Sequence, residues 1–163
     1  MLVKRPDVHY LVDLPAEARL VMEGFFHKIP YQERLGLSIV DYGFARARVR
    51  LPFSPTLIGD PENGFLHGGA VTSLVDSASG LAMLLALHSV QRIATLDLRI
   101  DYMRPALARD VVCESECFRL TRQVGFVRSV VSQEGADDAI AGGMGTFMRI
   151  AEDLVGRGQE RAR

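Results

Sequence analysis

The sequence predicts an α+β fold in which a curved antiparallel sheet wraps around one long central helix. Two observations predict it. Residues 70–87 are apolar on most sides, through Val71, Leu74, Val75, Ala78, Leu81, Ala82, Leu84, Leu85 and Leu87. A helix of that kind is buried in protein or spans a membrane. Behind it come four strand-like runs separated by turn residues, as in an antiparallel meander. A long helix followed by a meander buries its apolar surface when the sheet curls around the helix.

The elements follow in order. Residues 15–29 read as a first helix: Asp13 suits the N-cap, Pro15 the first turn, and Pro30 stops it. Ala18, Met22, Phe25, Phe26 and Ile29 mark its buried face. Residues 37–51 turn to period two, with Ala45, Ala47, Val49 and Leu51 alternating with Arg46, Arg48 and Arg50. That pattern predicts a half-buried strand whose arginines face solvent. Pro52, Pro55, Gly59, Pro61 and Gly64 then punctuate a loop. Within the central helix, Asp76 argues against a membrane span, because a carboxylate near its middle is costly there. Thr72, Ser73, Asp76 and Gly80 form a small, polar stripe suited to a close neighbour or a site wall.

The strand 95–103 alternates, with Leu96, Leu98, Ile100 and Tyr102 on one face and Thr95, Asp97, Arg99 and Asp101 on the other. Pro105 ends it. Residues 111–120, 126–133 and 140–150 read as further strands, with Gly125 and the segment 135–138 as hairpin turns. Gly142, Gly143 and Gly145 predict strong curvature or a close backbone approach. The chain therefore divides into an N-terminal helical segment (1–34), one domain (35–150) and a polar tail (151–163).

Composition narrows the function. The 163 residues are 48% hydrophobic and 24% charged, which suits one soluble globular domain. A net charge of -1 gives no overall basic surface, so neither nucleic acid nor membrane is an expected partner. Met1 to Asp7 contain no apolar run of signal-peptide length, and the expected location is cytoplasmic. Cys113 and Cys117 share one strand, about 13 Å apart at ~3.3 Å per residue, beyond the ~7 Å reach of a disulfide. They read as small buried side chains. His9, His27 and His88 show no metal-ligand spacing, and no metal is expected.

The chemistry concentrates in residues 63–76, where Asn63-Gly-Phe-Leu-His67-Gly68-Gly69 runs into the central helix and on to Asp76. Without a Cβ, Gly68 and Gly69 let backbone N–H groups approach a ligand closely. The first N–H groups of a helix lack internal partners and sit at the positive end of its dipole. Such a site can hold a developing oxyanion. Asp76 lies seven residues after Gly69, on the same helical face, where a carboxylate suits acid–base or nucleophilic chemistry. Its bland alternative is a structural ion pair. His67 has two readings, an anchor that ties down the turn through a ring nitrogen or a proton shuttle.

Taken together, His67-Gly68-Gly69, Asp76 nine residues after His67, and the strand Thr95-Leu-Asp-Leu-Arg-Ile-Asp-Tyr-Met-Arg-Pro105 resemble the hotdog-fold acyl-CoA thioesterases of the phenylacetate-degradation type, within the 4-hydroxybenzoyl-CoA thioesterase superfamily. The resemblance covers residues 35–150. It implies that Asp76 is the catalytic carboxylate, as base on water or as nucleophile, and that the Gly68 N–H polarises the thioester carbonyl. It places Thr95 where a hydroxyl orients the water. It puts Asp60 or Asn63 in the role of a substrate-binding Asn before the turn, beside His67 and Gly69. It implies no cofactor, coenzyme A being part of the substrate. It also implies a homodimer, often paired into a tetramer, with Asp76 facing the Gly68 turn of the partner subunit. The alternatives are a hydratase-dehydratase, which needs a His paired with an acid, and a non-catalytic acyl-CoA-binding protein.

Overall fold

The computed structural model describes residues 24, 26–89, 91–133 and 138–150. Most of the predicted first helix, the tail 151–163 and all but Asp138 of the turn 135–138 lie outside these residues, although Gly24, Phe26 and His27 are helical. Pro30–Leu35 forms a short helix, α1, with Pro at its start and Gly36 at φ 67 as its stop. The run 37–51 is two strands rather than one. β1 (Ser38–Gly43) and β2 (Arg46–Leu51) pair as a hairpin, with Ala45 at φ 57 in the turn. The turn lacks the glycine or asparagine that usually marks one, so alternation alone could not reveal it. The expected loop also holds structure: a 3-10 turn at Pro55–Leu57, then a small hairpin of β3 (Ile58–Asp60) and β4 (Phe65–Leu66).

The central helix, α2, runs from Gly68 to Leu87, starting two residues before the sequence expectation. Four long strands follow: β5 (Ile93–Tyr102), β6 (Val111–Leu120), β7 (Val124–Gln133) and β8 (Ala139–Arg149). The main sheet is antiparallel, in the order β1-β2-β6-β7-β8-β5. α2 packs across β2, β6 and β7, so its apolar length is spent in the core. Leu74, Val75, Met83 and Leu85 of the helix are fully buried with Val49, Leu51, Val111, Val127, Val131 and Phe147 of the sheet. Each such side chain stabilises by about 1.5–3 kcal/mol relative to exposure.

The sheet's glycines admit the helix. A Cβ on Gly143 would stand 2.9 Å from Val75 Cγ1, and one on Gly145 would stand 2.8 Å from Phe147. Gly125, read above as a turn, is instead inside β7 and paired with Phe147; its Cβ would press on Met83 at 3.0 Å. The hairpin turn itself is Thr121–Gln123, closed by the Thr121 N–H on the Val124 carbonyl. Both cysteines are free and buried. The Cys113 thiol ends a buried chain of hydroxyls from Ser79 through Ser129 and Ser115. On the outer face, Arg46 pairs with Glu116 at 2.8 Å, Arg48 with Glu114 at 3.3 Å, and Arg50 with Asp110. Burial raises the Glu116 carboxyl, but Arg46 and Arg128 together outweigh it and hold the group below the usual range.

A bulge in β5 positions the site. Thr95 pairs with Phe147 and Asp97 with Thr146, so Leu96 is an extra residue, 55% exposed. Uninterrupted alternation would put Thr95 opposite Leu98. The extra residue restores Thr95 to the side of Leu98, Ile100 and Tyr102, which is the side facing α2.

Candidate active site

The entry to α2 is built around His67. As N-cap, His67 accepts the Gly69 N–H on its Nδ1 at 2.9 Å, while its carbonyl accepts the Ala70 N–H. Nδ1 can accept only without a proton, so the ring carries its proton on Nε2. This is the anchoring role, and it leaves His67 no bond to Asp76. With Gly69 and Ala70 already donating, the Gly68 N–H is left with no partner among the described residues. The other side of the turn is clamped as well. The Gly68 carbonyl accepts the Tyr102 hydroxyl at 2.9 Å and the Thr72 hydroxyl at 3.1 Å, and these two hydroxyls are 2.7 Å apart. Gly59 of β3 packs on the His67 backbone so closely that a Cβ would stand 2.7 Å from its Cα. A free N–H is therefore held rigidly at the positive end of a 20-residue helix.

Asp76 is half-buried, two turns further along. Its Oδ1 accepts the Thr95 hydroxyl at 2.8 Å, and no other contact to the carboxylate is present among the described residues. The hydroxyl proton is thus committed to the carboxylate, which leaves the Thr95 oxygen free only to accept. Asp76 and Thr95 open into a cleft of about 340 Å³ walled by Phe26, Ile29, Leu81, Leu84, Ile93 and Phe147. That volume is at the small end of ligand pockets, ~300–1,000 Å³.

Asp60 and Asn63 are tied to each other rather than to this cleft. Asp60 accepts the Asn63 side-chain amide at 2.8 Å and the backbone N–H groups of Glu62 and Asn63. The Asn63 amide, more than any other contact, holds the Asp60 carboxyl below its usual range. The structure therefore joins Thr95 to Asp76, joins His67, Gly68 and Gly69 in one turn, and joins Asp60 to Asn63. It does not join these three groups within one chain. The sequence places Tyr102 on the apolar face of its strand and in the motif that ends at Pro105, but sequence reasoning missed its clamp on Gly68. Two hydroxyl residues facing each other across a glycine turn would have been the signal.

A glycine turn opening the central helix and a carboxylate further along it, inside a curled sheet, define the hotdog class of thioester-processing folds. The family model of the thioesterase superfamily matches residues 63–140, which hold the turn, Asp76 and Thr95. A candidate esterase of Halobacterium salinarum is 34% identical over 127 residues, 73% of this chain and 83% of that protein. The medium/long-chain acyl-CoA thioesterase YigI of Salmonella typhimurium is 30% identical over 129 residues, 71% of this chain and 83% of YigI. Among solved structures, a mutant of the phenylacetic acid degradation protein PaaI from Thermus thermophilus superposes with a TM-score of 0.65 at 30% identity, over 74% of this chain and 99% of that one. The chain belongs to the thioesterase superfamily and is a hydrolase with the hotdog fold.

Proposed function

We propose that this protein hydrolyses acyl-CoA thioesters at a site shared by two copies of the chain. One observation carries the shared site. The carbonyl oxygen must lie about 3 Å from the oxyanion donor, and the reacting carbon about 3 Å from the attacking atom. Gly68 and Asp76 of one helix are eight residues apart, about 12 Å at ~1.5 Å per residue. That separation favours a thioester held by the Gly68 turn of one chain and the Asp76 of another. β5 is an edge strand of ten residues, and its outer side has no neighbour in the sheet among the described residues. Pairing two β5 edges about a twofold axis lays the two α2 helices antiparallel, with the start of one beside the middle of the other. Such an edge is also one that a lone chain has reason to cover.

In that arrangement the thioester oxygen sits on the Gly68 N–H, and the acyl group enters the cleft beside the other subunit's Asp76. Water attacks the carbonyl carbon while Asp76 takes its proton. The new C–O bond replaces the C–S bond, and the coenzyme A sulfur leaves with the proton that Asp76 took from the water, which restores the carboxylate. Medium- to long-chain acyl groups are the first substrates to test, following YigI. The reading is tested by thiol release from short, medium, long and aryl acyl-CoA substrates, with wild type and Asp76→Asn side by side. Release by wild type that survives unchanged in Asp76→Asn would overturn the assignment of Asp76.

A further inference from the structure

The cleft wall contains a polar group that the hydrolysis does not use. Gln32 of α1 is 9% exposed, and its Oε1 is buried without a hydrogen-bond partner. No contact of its Nε2 is present among the described residues either. Three other polar side chains of the cleft have partners. Asp76 and Thr95 bond each other, and Gln91 is tied to Ser89 and to Arg149. Nor is α1 loosely placed. The neighbouring Tyr31 hydroxyl bonds Ser73 of α2 at 2.9 Å, and the Leu37 N–H closes on the Gln32 carbonyl. A buried carboxamide without a partner is costly unless something completes it.

We infer that Gln32 selects acyl groups that carry a hydroxyl along the chain, through a hydrogen bond between that hydroxyl and the Gln32 carboxamide in the Asp76 cleft. The inference rests on the thioesterase reading and adds the substrate class. A hydroxyl both donates and accepts, so it pairs with either end of the amide. A plain alkyl chain filling the same cleft would leave the buried oxygen as unpaired as it is in the empty cleft. A site built around a polar group rejects the analogue that leaves it unpaired.

The test compares straight-chain acyl-CoA substrates with equal-length counterparts bearing one hydroxyl at successive positions. Gln32→Leu and the near-isosteric Gln32→Met are the variants. Wild type should favour the best hydroxylated substrate by about tenfold in kcat/KM. Both variants should lose that preference while keeping or raising turnover of the plain chain. Absence of a preference at every hydroxyl position, or an equal fall on both substrates in the variants, would overturn the inference. The same ratio is read as binding to the Asp76→Asn protein by calorimetry. A binding preference without any thiol release by wild type would sink the thioesterase reading and leave the role of Gln32 standing. Thiol release without a preference would do the reverse.

Discussion

Among the described residues the Asp76 carboxylate has one hydrogen-bond partner, Thr95, and this ranks the substitutions around it. Asp76→Asn keeps the shape but removes the base, so kcat should fall by ~10²-fold or more. Gly68→Val should be as severe. Its Cβ would stand 3.3 Å from the Tyr102 hydroxyl, and the remaining methyls would crowd the one free N–H. Thr95→Ala should be milder, because water can replace the lost donor to Asp76 Oδ1. The ranking is read as thiol release from one good substrate, and a Thr95→Ala loss exceeding that of Asp76→Asn would place the base elsewhere. Protein thiols should not disturb that assay. Burial pushes the Cys113 thiol up to about 12 and raises Cys117 as well. A thiol reagent should therefore find no fast cysteine in the native protein and two after denaturation. The sequence made Gly68, Asp76 and Thr95 legible because their spacing forms a motif. It hid Tyr102 and Gln32, whose roles come from what stands opposite them in space.

Between elements, adjacent glycines of β8 have opposite duties. The pleat turns Gly143 toward α2, where an added Cβ meets Val75 Cγ1 at 2.9 Å. Val75 is β-branched, fully buried and unable to swing aside. Gly142 points the other way, with its nearest atom at 4.0 Å. Gly143→Ala should destabilise by about 1–3 kcal/mol through overpacking. Gly142→Ala should be neutral or stabilise by ~0.4–1 kcal/mol, because alanine restricts the unfolded chain. Urea midpoints decide it, and equal shifts in the two variants would disprove the close helix approach. Element-level legibility followed the same physics. Helix α2 and the strands β5 to β8 announced themselves by period, and the glycine-rich last strand by composition. The hairpin at Phe44 and Ala45 carried no turn residue. The bulge at Leu96 left the written alternation intact while reversing the side on which Thr95 stands.

At the scale of the whole molecule, the proposal is that one chain holds two halves of two different sites. The resemblance carried by the sequence motifs already implies that. Helical rise supports it, since Gly68 and Asp76 are about 12 Å apart along one axis. Sedimentation should show a dimer or a dimer of dimers at micromolar concentration, but mass alone would not prove that the site is shared. Mixing two dead variants would. In a heterodimer of Asp76→Asn and Gly68→Val chains, one site receives both substitutions. The other receives the intact Gly68 from one chain and the intact Asp76 from its partner. Random reassortment makes half the dimers mixed, each with one working site in two, so activity should recover to about a quarter of wild type. The variants are unfolded together, refolded and assayed by thiol release, with each variant refolded alone as the baseline. Recovery requires that the oxyanion donor and the carboxylate come from different chains. If the mixture stays as inactive as its components while sizing as a folded dimer, both groups act within one chain, and the antiparallel pairing of helices proposed for this protein is wrong.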